Sequence, residues 1–97
     1  MMEVNIYTMQ PTWFTVKLEE GKNYFKQSVN GKTSYLMVEL KNSCFKSIEL
    51  TIREKGTIIR EYHVFAYEYV FSTRHKVETC SPEEFNTKLK NAIKKLK

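Results

Sequence analysis

The chain contains no aspartate. Aspartate-dependent catalytic triads, calcium loops and most carboxylate-clamped magnesium sites need that side chain, so all three are excluded at the outset. Glycine is scarce. Gly21, Gly31 and Gly56 stand alone, so no glycine-rich loop exists to cradle a phosphate. Proline occurs only at Pro11 and Pro82. All five of these residues fall where a periodic run ends, and none interrupts one, which is the pattern of a well-specified fold.

Cysteine is equally sparse. Cys44 and Cys80 do not make a disulfide framework. With only His63 and His75 to add, they lack the spacing of a zinc motif, so reduced thiols and no metal or cofactor are expected. No apolar run approaches the length of a membrane span, and no membrane partner is expected. The first five residues, Met1-Met2-Glu3-Val4-Asn5, show neither a basic region nor an apolar core of a secretory signal. A cytoplasmic location is the default expectation.

What is present is a chain of 97 residues, 41% hydrophobic and 13% aromatic, which suits one folded domain over 1–97. Its net charge of +5 is unevenly placed. Residues 1–85 carry equal numbers of basic and acidic side chains. The whole excess is therefore Lys88, Lys90, Lys94, Lys95 and Lys97.

Those lysines sit in the segment 81–97, which reads as an amphipathic helix. Ser81 is a good N-cap, Pro82 suits the first helical position, and Glu84 completes a capping box with Ser81. Phe85, Leu89, Ala92, Ile93 and Leu96 then recur as one apolar stripe. Lys90, Lys94 and Lys97 lie opposite that stripe. Their bland role is to keep the outer face wet and to complement the helix dipole. Their functional role would be to meet nucleic acid or another acidic partner.

Residues 1–79 read as strands. Glu3 to Met9 and Thr12 to Leu18 alternate, with Phe14, Val16 and Leu18 on one face and Trp13, Thr15 and Lys17 on the other. Tyr24 to Val29 and Thr33 to Leu40 flank Asn30-Gly31, the strongest hairpin signal in the chain. A two-residue loop there sets Val29 opposite Lys32, Phe25 opposite Leu36, Lys26 beside Tyr35 and Tyr24 beside Met37. Ser47 to Arg53 alternates Ile48, Leu50 and Ile52 against Glu49, Thr51 and Arg53. Glu54-Lys55-Gly56 turns the chain again, with Ile58 and Ile59 leaving the register open.

The run Thr57 to Ser72 is rich in aromatic and β-branched residues and is expected to be strand, bent or bulged near Ala66 to Glu68. As a strand it would put Phe65, Tyr67, Tyr69 and Phe71 on one face. Helical spacing of Tyr62, Phe65, Ala66 and Tyr69 is the competing pattern. Arg74 to Thr79 is expected to be the last strand. The predicted fold class is α+β: a curved antiparallel sheet or half-barrel of six to seven strands, capped by one C-terminal helix. Strands followed by a closing helix make an element order similar to pleckstrin-homology-like domains and whirly-type single-stranded DNA binders. That resemblance is of architecture, without a shared motif, and architecture implies little about function.

Nucleophilic catalysis would need a cysteine beside a histidine and an orienting group, and nothing local supplies one. Cys80 is most simply the residue before an N-cap, His63 a structural histidine within an aromatic strand, and His75 part of a basic turn. The expectation is a non-enzymatic module that binds a protein partner or a second copy of itself. Single-stranded nucleic acid is the alternative, stacked on aromatics and neutralised by basic side chains. The candidate partner-binding residues are Trp13, Tyr35, Tyr67, Tyr69, Arg74, Lys76, Lys90, Lys94 and Lys97.

Overall fold

Four strands run back and forth as a meander joined by two-residue turns: β3 (Gly21–Val29), β4 (Lys32–Lys41), β5 (Cys44–Arg53) and β6 (Gly56–Tyr62). In the computed structural model the described residues are 2–7, 13–72 and 75–95, the side chains of 3–7 and 13–15 excepted. The first turn holds both residues at positive φ, Asn30 at 50° and Gly31 at 77°, which matches the twist of the flanking strands. Asn42 and Ser43 do the same at 51° and 64°.

The β3–β4 register is the one the Asn-Gly turn predicts: Val29 opposite Lys32, Lys26 opposite Tyr35, Phe25 opposite Leu36 and Tyr24 opposite Met37. The open β5–β6 register resolves with Arg53 opposite Gly56, so that Ile59 faces Leu50 and Ile58 faces Thr51. A short β7 (Glu78–Thr79) returns antiparallel along the outer side of β3. The sheet order is β6-β5-β4-β3-β7, open rather than closed into a barrel. Two further strands, β1 (Met2–Tyr7) and β2 (Trp13–Leu18), form their own antiparallel hairpin, with Met2 opposite Leu18 and Tyr7 opposite Trp13. The seven strands among the described residues thus divide between two sheets. The expected last strand over 74–79 shrinks to its final two residues among those described.

Both faces of the main sheet are covered. On one face Phe25, Leu36, Val38 and Leu40 pack with Val16 and Leu18 of the hairpin and with Ala66, Tyr67, Val70 and Phe71. On the other face Tyr35, Met37 and Leu50 pack beneath Phe85 and Ala92 of α2 (Pro82–Lys95). Two-sided burial explains why Glu49 and Thr51, which alternate with Ile48, Leu50 and Ile52, are also buried. Their polar groups are satisfied within the layer. Thr51 donates to Glu49 Oε2 at 2.6 Å and Tyr62 donates to Glu49 Oε1 at 2.8 Å.

The aromatic run departs from expectation. β6 stops at Tyr62, and the chain arches over the sheet into α1 (Tyr67–Val70). The cause lies in another strand: Ser47 Oγ donates to the Val64 carbonyl at 2.7 Å and accepts from the Ala66 N–H at 3.3 Å. Those bonds end the ladder and start the bend. Gln27 pins the far end, donating to the carbonyls of Ser72 and His75 and accepting from the Ser72 N–H. The Phe65/Tyr67/Tyr69/Phe71 face therefore does not exist. Tyr67 and Phe71 turn into the core as an edge-to-face pair 5.1 Å apart, and Tyr69 points to solvent. Burial pushes the Tyr67 hydroxyl up to about 12.

Helix α2 begins where Ser81 predicts. Ser81 Oγ accepts from the Glu84 N–H at 3.1 Å. Only half of the capping box forms, because the Glu84 carboxylate turns to the sheet instead. Its Oε2 accepts from Lys26 Nζ at 3.0 Å and from the Tyr35 hydroxyl at 2.9 Å. These two donors are the cross-strand neighbours of the Asn-Gly hairpin.

That triad makes an acid-sensitive fastening. Lys26, then Tyr35, holds the Glu84 carboxyl below its ordinary value of 4.5, while Glu84 raises the Lys26 ammonium above 10.5. Burial, and then Glu84, pushes Tyr35 up to about 12. A depressed carboxylate contributes stability above its unfolded pKa and loses it as pH falls through the folded one. Glu84→Gln is accordingly expected to lower the urea midpoint near neutral pH, with the gap from wild type narrowing below pH 4.5. The gap staying constant from about pH 7 to about pH 3 would show that ionisation of Glu84 contributes nothing.

Candidate partner-binding surface

Strand β6 is an edge. Among the described residues it pairs with β5 alone, and its other side carries no ladder partner. A two-residue turn makes its closing pair, Arg53 and Gly56, mutually hydrogen-bonded. Alternation along an antiparallel pair then directs the N–H and C=O of Ile58, Arg60 and Tyr62 to β5. Those of Thr57, Ile59 and Glu61 point outward. Protein edges are commonly blunted by proline, bulges or extreme shortness. This one spans seven residues, has no proline, and keeps continuous register.

Beside this edge the molecule exposes apolar surface. Val64 is 47% exposed and Tyr69 is 71% exposed, both on the arch that leaves β6. The Tyr69 ring lies 6.0 Å from that of Tyr62, the last residue of the strand. Ile93 of α2 is 45% exposed on the opposite layer. The expected apolar stripe of the helix is thus only partly covered: Phe85 and Ala92 are buried, Leu89 half-buried and Ile93 open.

The nine candidate residues separate widely. Of the candidate aromatics whose side chains are described, Tyr69 alone is an accessible surface feature. Tyr35, expected to face outward, is buried beneath α2, where its hydroxyl is committed to Glu84. Tyr67 is buried under the arch. Trp13 begins β2, opposite Tyr7, and its side chain lies outside the described residues, as do Arg74 and Lys97. Lys76 is exposed in the approach to β7. Lys90 and Lys94 are exposed on α2 together with Lys88 and Lys95.

The aromatic and basic features therefore occupy different layers. Tyr69 belongs to the arch on one face of the sheet, and the lysines belong to α2 on the other. Val64, Ile93 and the β6 edge were not among the sequence-derived candidates. No signal in the sequence singles out Val64. Nothing local marks β6 as an edge.

The cysteines and histidines do not converge with carboxylates into a metal-binding group among the described residues. Cys44 is exposed at the β4–β5 turn. Cys80 is half-buried before α2, and burial, followed by Glu84, pushes its thiol up. That is the reverse of what an attacking thiolate requires. His63 is not a structural histidine inside a strand. It lies just past β6, 84% exposed, with Nε2 3.8 Å from Glu61.

No family model, curated protein or solved structure matches this chain. No helix among the described residues is long and apolar enough to cross a membrane.

Proposed function

We propose that the chain is a non-enzymatic binding module that joins a protein partner at the β6 edge and the apolar corner of Val64 and Tyr69. The observation that carries this reading is the seven-residue edge strand with outward backbone groups at Thr57, Ile59 and Glu61. Strand addition uses such an edge for affinity and flanking side-chain pockets for selectivity. An exposed tyrosine and valine beside it add the aromatic and apolar anchors common in interfaces. The raised Cys80 thiol argues against that residue as a nucleophile, and the proposal includes no cofactor.

The lysine face of α2 favours a second reading, nucleic-acid binding. Its four described lysines are exposed and hold most of the net charge. Stacking proteins, however, place aromatics and phosphate-neutralising cations in one groove. Here a sheet and its two packed layers stand between Tyr69 and Lys90. This ranks the protein-binding reading first.

An affinity experiment tests both. The immobilised chain is expected to retain a cellular protein, with retention lost for Val64→Glu combined with Tyr69→Ser and kept for Lys90→Gln combined with Lys94→Gln. A labelled single-stranded oligonucleotide is expected to show no retardation at low salt. Retention that depends on the lysines, or retardation that falls steeply with salt, would replace the first reading with the second.

A further inference from the structure

We propose that the groove between the two hairpin turns at one end of the main sheet binds a small organic phosphate monoester. This is a second site, independent of strand addition at β6. The inference starts from the charge pattern of the ladders. Within the main sheet the directly paired charges are opposite in sign: Lys22 faces Glu39, Glu39 faces Lys46, Lys26 faces Glu78 and Glu49 faces Arg60. Such pairs favour their register, and like charges directly opposite oppose it.

One position breaks the pattern. A single residue beyond the Thr33–Ile52 pair, β4 and β5 set Lys32 beside Arg53. Strand parity puts both on the sheet face that carries Leu36 and Glu49. Among the described residues neither one makes an ion pair or a side-chain hydrogen bond. A local conflict in a chain whose other pairs agree is where a functional site is expected, because it costs stability that the fold does not recover.

The two cations line a groove of about 560 Å3 between the Asn30-Gly31 turn and the Glu54-Lys55 turn. Small-molecule sites commonly span about 300–1,000 Å3, so there is room for a phosphate and an organic body. Val29 and the lysine stems give that body an apolar wall. The Arg53 guanidinium suits a phosphate as a two-pronged donor, and the Lys32 ammonium adds a point charge beside it. Both walls are two-residue turns closing paired strands, and Lys32 is half-buried, so little freedom is lost on binding.

Charge selects the monoester. Lys32, Arg53 and Lys55 against Glu54 give the lining a net of two positive charges. A monoester carries about −1.5 to −2 at neutral pH and matches it. A diester carries one negative charge and leaves the groove uncompensated. A nucleic-acid backbone is a run of diesters and suits cations repeated along a track.

The test titrates the isotope-labelled full chain with phenyl phosphate, inorganic phosphate and dimethyl phosphate at salt of about 20 mM. Amide shifts are expected at Asn30, Gly31, Lys32 and from Arg53 to Gly56. Phenyl phosphate should bind more tightly than inorganic phosphate, and dimethyl phosphate at least about fivefold more weakly than phenyl phosphate. Binding should weaken as pH falls through about 6, where the monoester takes up a proton. Lys32→Gln and Arg53→Gln should each weaken it at least about fivefold. Glu54→Gln removes the repelling carboxylate and should tighten it about threefold. Without ligand, Lys32→Gln should melt no lower than wild type at low salt, since it relieves the like-charge opposition.

Four outcomes overturn the inference. The absence of shifts at about 10 mM phenyl phosphate would leave a site too weak to matter. Unchanged affinity in both Gln variants would place binding elsewhere. Dimethyl phosphate binding as tightly as phenyl phosphate would make the ligand a diester, as in a nucleic-acid backbone. A clearly lower melting temperature for Lys32→Gln would show that the two cations do not conflict. None of these results bears on retention through Val64 and Tyr69, so the protein-binding reading stands or falls separately.

Discussion

Phe85→Ala is expected to destabilise the protein by about 3–5 kcal/mol, the range for removing a large buried aromatic side chain. Phe85 is the anchor of α2. It is fully enclosed, with its ring 5.4 Å from Tyr24 and 6.5 Å from Tyr35. Truncation forfeits burial of the ring and both aromatic contacts, and leaves a void on a face that no other described element covers. A fourteen-residue helix is marginal in water without its packing surface. Loss of the anchor should therefore appear as reduced helical circular dichroism as well as a lower midpoint. Domains of this size typically have about 5–15 kcal/mol of stability, and each kcal/mol moves the melting temperature by about 4–8 °C. A drop of about 12 °C or more is the expected result. A change within about 4 °C would mean that α2 is held chiefly by its first-turn fastening to Lys26 and Tyr35.

Leu36→Ala tests the other face and is expected to cost about 3–5 kcal/mol by urea denaturation. Leu36 is 0% exposed, at the centre of β4, beside Phe25 of β3 and within the cluster that joins the β1–β2 hairpin to the arch. Sheet, hairpin and arch meet around it, so the site has little freedom to collapse into the space that the leucine leaves. The helix on the opposite face should keep its native contacts until the whole sheet melts. A cost below about 1 kcal/mol would show that the hairpin and arch lie loosely on the sheet.

The local rules that worked are those whose partners are close in sequence. Asn30-Gly31 determines a two-residue turn, and strand parity then carries the register from Val29 and Lys32 to Tyr24 and Met37. Ser81, three residues before Glu84, marks the helix start for the same reason. Glu84 itself shows where local reading ends. A capping box offers it the Ser81 N–H, but the sheet offers two stronger donors from strands more than forty residues away.

The aromatic run failed for a related reason. Period-2 and helical patterns both fit residues 62–71, and the deciding groups, Ser47 and Gln27, belong to β5 and β3. A strand pattern therefore puts Tyr67 and Tyr69 on one face, whereas the arch buries the first and exposes the second. The edge position of β6 was illegible for a topological reason. It follows from β7 returning to β3 rather than to β6, and two residues, Glu78 and Thr79, carry that choice.

Amide hydrogen exchange of the isolated full chain tests the open edge most directly. The amides of Ile58, Arg60 and Tyr62, which bond to β5, are expected to exchange slowly, at rates approaching those of global opening. Those of Thr57, Ile59 and Glu61 are expected to exchange close to the rate of an unstructured peptide. This alternation of slow and fast along β6 is what an edge free to receive a partner strand predicts. Uniform protection from Thr57 to Tyr62 would contradict it, since the outward groups would then already be paired.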